Sequence, residues 1–96
     1  MEIKIKALKL DVSEKLAAFV EKKVIRLEKF FGGADQVAEV SLEEIKEGKK
    51  AKIQIHVPGE ELIIERVADT FENAITEATD AMKEKLTRTK EKKYDK

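Results

Sequence analysis

Four stretches of the chain alternate between apolar and polar residues, which is the period of half-buried β-strands. In the last of them, the adjacent Ile63 and Ile64 interrupt the alternation and leave open which side of that strand faces the core. The pattern predicts four strands, at residues 1–7, 36–45, 51–57 and 62–67.

Two other stretches carry apolar residues at every third or fourth position, the spacing that gathers them on one side of a helix. The first predicts one continuous helix over residues 13–31, with an apolar side formed by Leu16, Val20, Val24, Leu27 and Phe31. The second predicts a helix over about residues 70–92, with an apolar side formed by Phe71, Ile75, Ala78, Met82, Leu86 and Thr89. The last residues, from Tyr94 onward, have no apolar partner and are expected to fray.

Residues that begin and end helices flank both stretches. Asp11 or Ser13 can accept a hydrogen bond from a free N–H group in the first turn of the first helix. The glycine pair 32–33 can take the left-handed conformation that ends this helix. Asp69 and Glu72 have the spacing of a capping box and predict the start of the second helix.

The order strand, helix, three strands, helix predicts an α+β fold, β-α-β-β-β-α, in a single domain of 96 residues. A four-stranded sheet with both helices packed on one face buries the apolar side of every element. The first two strands are joined through a helix, which requires a parallel pair with a right-handed crossover. Short polar turns at residues 46–49 and 58–59 make the other pairs antiparallel, so the sheet is mixed.

The composition excludes several classes of function. No cysteine is present, which rules out disulfides, thiolate chemistry and cysteine-ligated zinc. No apolar run is long enough to span a bilayer, and the N-terminus is charged from Glu2, so we expect a cytoplasmic protein with no membrane partner. A chain of this length forms one modest core with little room for a cavity, so we expect no small-molecule substrate.

Side chains for catalysis are scarce. His56 is the single histidine and lies on the polar side of the third strand, as a surface or sheet-face residue. Without a second histidine or a cysteine it could bind a metal only together with carboxylates. The glycine pair 32–33 follows a helix, the reverse of the order that a phosphate site at a helix N-terminus needs. We therefore expect no enzyme activity, no catalytic residue, no cofactor and no metal.

The twenty basic and twenty acidic residues cancel, but the two signs are separated along the chain. Residues 15–29 have a net charge of +3 and residues 83–96 of +4, whereas residues 35–47 and 60–72 each have −4. Both helices therefore carry positive charge that could neutralise nucleic-acid phosphates. Lysines near helix C-termini also favour the helix dipole and solubility, so charge alone does not decide between the two. The aromatic residues lie on or beside core positions, which argues against stacking of single-stranded bases.

Three segments are similar to segments of a known family: RLEKFF at residues 26–31, VPG at residues 57–59 and DTFENAI at residues 69–75. They occur in the order and at the spacing of that family. The chain resembles the short ribosome hibernation promoting factor / ribosome-associated inhibitor A family, also known as the S30EA or sigma-54 modulation protein group. The resemblance covers nearly the whole chain.

This resemblance implies a fold similar to double-stranded RNA-binding domains, in agreement with the strand and helix pattern. It also implies a non-enzymatic protein that binds the small (30S) ribosomal subunit in the mRNA/tRNA channel, contacts 16S rRNA and blocks translation in stationary phase or stress. Six expected RNA-binding residues match basic positions of the family: Lys23, Arg26, Lys29, Arg88, Lys90 and Lys92. Three more lie beside them: Lys22, Lys83 and Lys85.

The chain departs from the family pattern in two ways. Ala81 and Glu84 stand where members often carry basic residues. The chain also has neither the acidic tail nor the C-terminal domain of other members, so we do not expect it to dimerise ribosomes alone, and we expect a monomer when it is free. Two alternatives remain open: a general double-stranded RNA-binding domain, and a protein-interaction module driven by charge.

Overall fold

The computed structural model contains the six predicted elements in the predicted order. It describes residues 1–31, 36–57 and 59–94, and for residue 57 and residues 88–94 it describes the backbone only. The glycine pair 32–33, Pro58 and the last two residues, for which turns or fraying were predicted, lie outside the described residues. The elements are β1 (Glu2–Leu8), α1 (Glu14–Ile25), a 3₁₀ segment (Arg26–Phe31), β2 (Val37–Ile45), β3 (Gly48–Val57), β4 (Glu60–Ala68) and α2 (Phe71–Tyr94).

The four strands form one mixed sheet in the order β1-β2-β3-β4. β1 runs parallel to β2, whereas β2 and β3 are antiparallel, as are β3 and β4. The register places Ile5, Val40, Ile53 and Ile64 side by side across the sheet. The predicted α+β topology is confirmed.

The core lies between one face of the sheet and the two helices. Each strand and each helix contributes its apolar side to a single cluster, so both helices pack on the same face of the sheet. Leu62 is 3% exposed and Ile63 is 42% exposed, which answers the open question about the fourth strand: Leu62 faces the core. The opposite, polar side of the sheet is called the outer face below.

Side-chain caps define where both helices begin. The Ser13 hydroxyl accepts a hydrogen bond from the Leu16 N–H group at 3.1 Å, so Ser13 is the cap of α1. In α2 the Thr70 hydroxyl accepts from the Asn73 N–H group at 3.0 Å, while Asp69 accepts from the Asn73 side-chain amide at 2.8 Å. The predicted capping box at Asp69 is therefore wrong by one residue, since Thr70 is the cap.

The predicted continuous first helix is also wrong in its last third. The α-helix ends at Ile25, and the next six residues, Arg26–Phe31, continue as a 3₁₀ helix. Over so short a segment an apolar pattern with a period of 3.0 residues cannot be told from one of 3.6 residues, because both bury Leu27 and place Phe30 and Phe31 against the core.

Candidate nucleic-acid interface

The expected cations of the first helix lie on its side away from the core. Lys22, Arg26 and Lys29 are exposed to solvent. Lys23 is half-buried, and its ammonium lies 5.6 Å from the centroid of the Phe19 ring, one helical turn earlier. A cation above an aromatic face is attracted by the ring quadrupole. Phe19 therefore holds the Lys23 ammonium beside the three exposed cations.

Arg26 and Lys29 belong to the 3₁₀ segment, which changes the direction of their side chains. In a 3₁₀ helix, side chains three residues apart lie above one another along the axis. Leu27 and Phe30 accordingly share the inward side, where Leu27 is 2% exposed and Phe30 packs against the core. Arg26 and Lys29 are the corresponding exposed pair. The segment thus places two cations in line.

Several lysines on the outer face of the sheet, by contrast, are close to carboxylates. The Lys6 ammonium lies 3.5 Å from Glu39, and that of Lys50 lies 3.4 Å from Glu43 and 3.7 Å from Glu65. These pairs join neighbouring strands across the sheet. Individually they add little stability because they are solvated, but they leave the outer face with charges that largely compensate one another.

Five cations of α1, the 3₁₀ segment and α2, which together are called the helix layer below, lack such pairs among the described side chains. Among the residues whose side chains are described, Lys22, Lys23, Arg26, Lys29 and Lys83 have no carboxylate oxygen within 4.0 Å. Their charge is therefore available to an anion outside the molecule. This difference between the two faces is the main electrostatic feature of the structure.

The predicted cations of α2 do not form one group. Lys83 and Lys85 are both exposed, but residues two apart on an α-helix point about 160° away from each other. Lys85 also takes part in an interaction within the chain, so Lys83 is the better candidate. The side chains of Arg88, Lys90 and Lys92 lie outside the described residues, and their role stays a prediction.

The first three turns of α2 are acidic, which the charge count by segment missed. No lysine or arginine occurs between Arg66 and Lys83, and Glu72, Glu77 and Asp80 are exposed. Their helical spacing is visible in the sequence. Glu77 and Asp80, however, lie between residues 60–72 and residues 83–96, the two segments for which a net charge is given above. Because carboxylates repel phosphate, the part of α2 suited to RNA begins at Lys83.

His56 lies on the outer face, as predicted, and it bridges two other strands. Its Nε2 atom lies 2.9 Å from a carboxylate oxygen of Glu39 in β2, and its Nδ1 atom lies 2.7 Å from Glu61 in β4. An ionised carboxylate only accepts hydrogen bonds, so the imidazole satisfies both partners when each ring nitrogen carries a proton. The two carboxylates approach opposite ring nitrogens, so the arrangement ties strands together and does not enclose a metal ion.

This bridge predicts a pH dependence of stability. The hydrogen bond from His56, followed by the attraction of Lys6, holds the pKa of Glu39 below its ordinary value of 4.5. A carboxyl group whose pKa is lower in the folded state stabilises the fold above its unfolded pKa, and this contribution is lost as the pH falls through the folded pKa. Urea unfolding should find Glu39→Gln less stable than the wild type at pH 7, with a difference that closes below about pH 4.5. A difference that does not change with pH would show that the bridge contributes nothing through ionisation.

Comparison with known proteins identifies the family. A family model described as sigma 54 modulation protein / S30EA ribosomal protein matches residues 3–94. The chain belongs to this family. Among similar solved structures, the N-terminal domain of Protein Y from Thermus thermophilus is 27% identical, with a TM-score of 0.82 over 93% of this chain and 99% of that one. A ribosomal subunit interface protein from Coxiella burnetii has a TM-score of 0.84 over 94% of this chain and 98% of that one, but at 18% identity it supports the fold alone. No curated protein matches the chain.

The sigma 54 modulation / S30EA family is the one that the segments at residues 26–31, 57–59 and 69–75 predicted, so that prediction is confirmed. The family indicates a ribosome-associated modulation protein. The family is not known for enzymatic activity. Within the described residues, no helix is both long and apolar enough to cross a lipid bilayer.

Proposed function

We propose that this protein is a ribosome hibernation factor that binds the small (30S) ribosomal subunit in the channel used by mRNA and tRNA. Cations of α1, the 3₁₀ segment and the C-terminal half of α2 contact phosphates of 16S rRNA, and the bound domain blocks translation in stationary phase or stress. The observation that supports this most strongly, beside family membership, is the absence of carboxylate partners around Lys22, Arg26, Lys29 and Lys83 among the described side chains.

A net charge of zero does not prevent binding to RNA, because the charges act locally. At physiological ionic strength, interactions between exposed charges are largely screened beyond about 8 Å. The molecule measures 20 Å across its thinnest dimension. The carboxylates on the outer face of the sheet are therefore too distant to cancel the cations of the helix layer at an RNA surface. The same separation of charge favours one orientation of the bound domain.

The aromatic residues indicate recognition of the RNA backbone. Phe19, Phe30, Phe31 and Phe71 are partly buried against the core, and lysine ammoniums lie over three of these rings, which disfavours the stacking of bases on them. Contacts to phosphates and sugars fix position and orientation without reading sequence. A folded rRNA groove of the right shape supplies the specificity that such contacts lack.

Sedimentation of the purified protein with purified small subunits tests this function. With about five phosphate contacts, the affinity should fall roughly 100- to 500-fold between 50 and 200 mM salt, because each contact contributes about −0.7 to −0.9 to the slope of log K against log salt. Addition of the protein to a cell-free translation reaction should inhibit it over the same range of concentration. Failure to sediment with the subunit at 50 mM salt would refute the proposal.

The same experiment separates the two alternatives. A general double-stranded RNA-binding domain would bind a free RNA duplex about as tightly as it binds the subunit, since phosphates in both are accessible. A charge-driven protein-interaction module would oligomerise as its concentration rises and would show no affinity for rRNA. We expect neither result, because the contacts proposed depend on the shape of the ribosomal groove.

A further inference from the structure

The 3₁₀ segment suggests how RNA is held at the end of the first helix. We propose that Arg26 and Lys29 form a clamp that binds two consecutive phosphates of one RNA strand, and that the 3₁₀ conformation of residues 26–31 creates this clamp. The inference rests on the proposed function and assigns a specific ligand, a pair of neighbouring phosphodiesters, to part of its surface.

The spacing of the two side chains matches this ligand. A 3₁₀ helix rises about 2.0 Å per residue, so Arg26 and Lys29 are separated by about 6 Å along the axis, without rotation about it. This distance is comparable with the spacing of neighbouring phosphates along an RNA strand. Had the α-helix continued, the same residues would be about 4.5 Å apart along the axis and about 60° apart around it. Their directions would then diverge by about 60°, whereas in the 3₁₀ helix they lie in line.

Packing on the other sides of the segment holds this geometry. Leu27 is almost completely buried, and Phe30, three residues later on the same side, packs against the core, as does Phe31. Glu28 lies on a third side, where its carboxylate accepts a hydrogen bond from the Met1 ammonium group. The core and the N-terminus therefore fix two sides of the segment and leave the side with Arg26 and Lys29 to solvent.

Neither Arg26 nor Lys29 forms an ion pair with a carboxylate among the described side chains. Arg26 and Lys29 have none within 4.0 Å among the described side chains, and Glu28, between them in sequence, is directed to Met1. The Lys29 ammonium lies 5.5 Å from the centroid of the Phe30 ring. Since Phe30 packs against the core, this contact restricts Lys29 to the neighbourhood of the segment while leaving all three of its N–H donors to a phosphate.

A transposition of charge tests the clamp without a change in composition. The double variant Glu28→Lys/Lys29→Glu moves one cation by a single residue, or about 120° around the 3₁₀ axis. The matched control is Glu14→Lys/Lys15→Glu, which makes the same exchange at two exposed positions in the first turn of α1. A third variant, Glu28→Gln, removes the contact to Met1 but retains both cations.

Binding of each variant to purified small subunits is measured over a series of salt concentrations, and folding is monitored by urea unfolding. We expect Glu28→Lys/Lys29→Glu to bind at least about tenfold more weakly, with the salt slope reduced in magnitude by about one. The control and Glu28→Gln should bind like the wild type. If the transposed variant and the control bind alike while the wild type binds, the clamp is refuted and the proposed function stands. If the wild type itself does not bind, both fall together.

Discussion

Replacement of Lys22, Arg26 and Lys29 together by glutamine should lower the affinity for the small ribosomal subunit by at least about 100-fold. These side chains are exposed and lack internal carboxylate partners among the described residues, so their loss removes contacts to phosphate and leaves no carboxylate unpaired. Loss of three phosphate contacts should also reduce the magnitude of the salt slope by about two to three. Binding isotherms at several salt concentrations measure both quantities.

The matched control for this variant is Lys4→Gln/Lys6→Gln/Lys50→Gln. It makes the same change in net charge, but on the outer face, where each of these lysines lies within 4.0 Å of a carboxylate. We expect its affinity to remain within about threefold of the wild type, because these distant charges are screened from RNA at the helix layer. An equal loss in both triple variants would mean that binding follows net charge and that the helix layer has no special role.

The largest effect on stability is expected from Ile53→Ala. Ile53 is fully buried at the centre of β3, opposite Val40 in β2 and Ile64 in β4. Removing three carbons from such a site costs about 2–5 kcal/mol, from the lost burial and from the cavity that remains. A domain of this size has a total stability of roughly 5–15 kcal/mol, so the melting temperature should fall by at least about 10 °C.

Ile63→Ala is the control for the core substitution. Ile63 lies in the adjacent strand but faces outward and is 42% exposed, so the same change of side chain should cost less than about 1 kcal/mol. Thermal and urea unfolding of the two variants measure the difference. Equal destabilisation would contradict the assignment of the two faces of the sheet.

Much of the fold could be predicted because its signals are local. The alternation in residues 36–45 and 51–57 assigned strands and faces correctly, since most inward positions are apolar and most outward positions polar. The side of β4 that faces the core could not be predicted, because Ile63 and Ile64 fit either face equally. The register of its antiparallel pairing with β3 determines which side faces the core, because it places Ile64 beside the buried Ile53.

The 3₁₀ segment and the start of α2 were missed for a different reason. At both places two alternative local structures are possible, and they differ by only one or two residues. Asp69 and Thr70 are each suitable caps, and Thr70 is the one whose hydroxyl accepts a hydrogen bond from the Asn73 N–H group. The change of helix type after Ile25 is not encoded in the apolar spacing, because periods of 3.0 and 3.6 residues both bury Leu27 and place Phe30 and Phe31 against the core.

The candidate interface was predicted as a set of cations, but its geometry was not. The segmental charges and the family resemblance identified Lys22, Arg26 and Lys29, which the structure brings to one exposed surface. The same reasoning grouped Lys83 with Lys85, which point to different sides of α2. The compensation of charge on the outer face was also invisible in the sequence, because pairs such as Lys50 with Glu65 depend on strand register.

The orientation of the domain on the ribosome can be measured directly, because the chain contains no cysteine and a single one can be introduced at will. Ala18→Cys places a thiol on the exposed side of α1, and Ile63→Cys places one on the outer face of the sheet. An iron chelate tethered to each thiol generates hydroxyl radicals that cleave nearby RNA in the bound small subunit. Strong cleavage of 16S rRNA from position 18 and weak cleavage from position 63 is the predicted result. Cleavage as strong or stronger from position 63 would contradict binding through the helix layer.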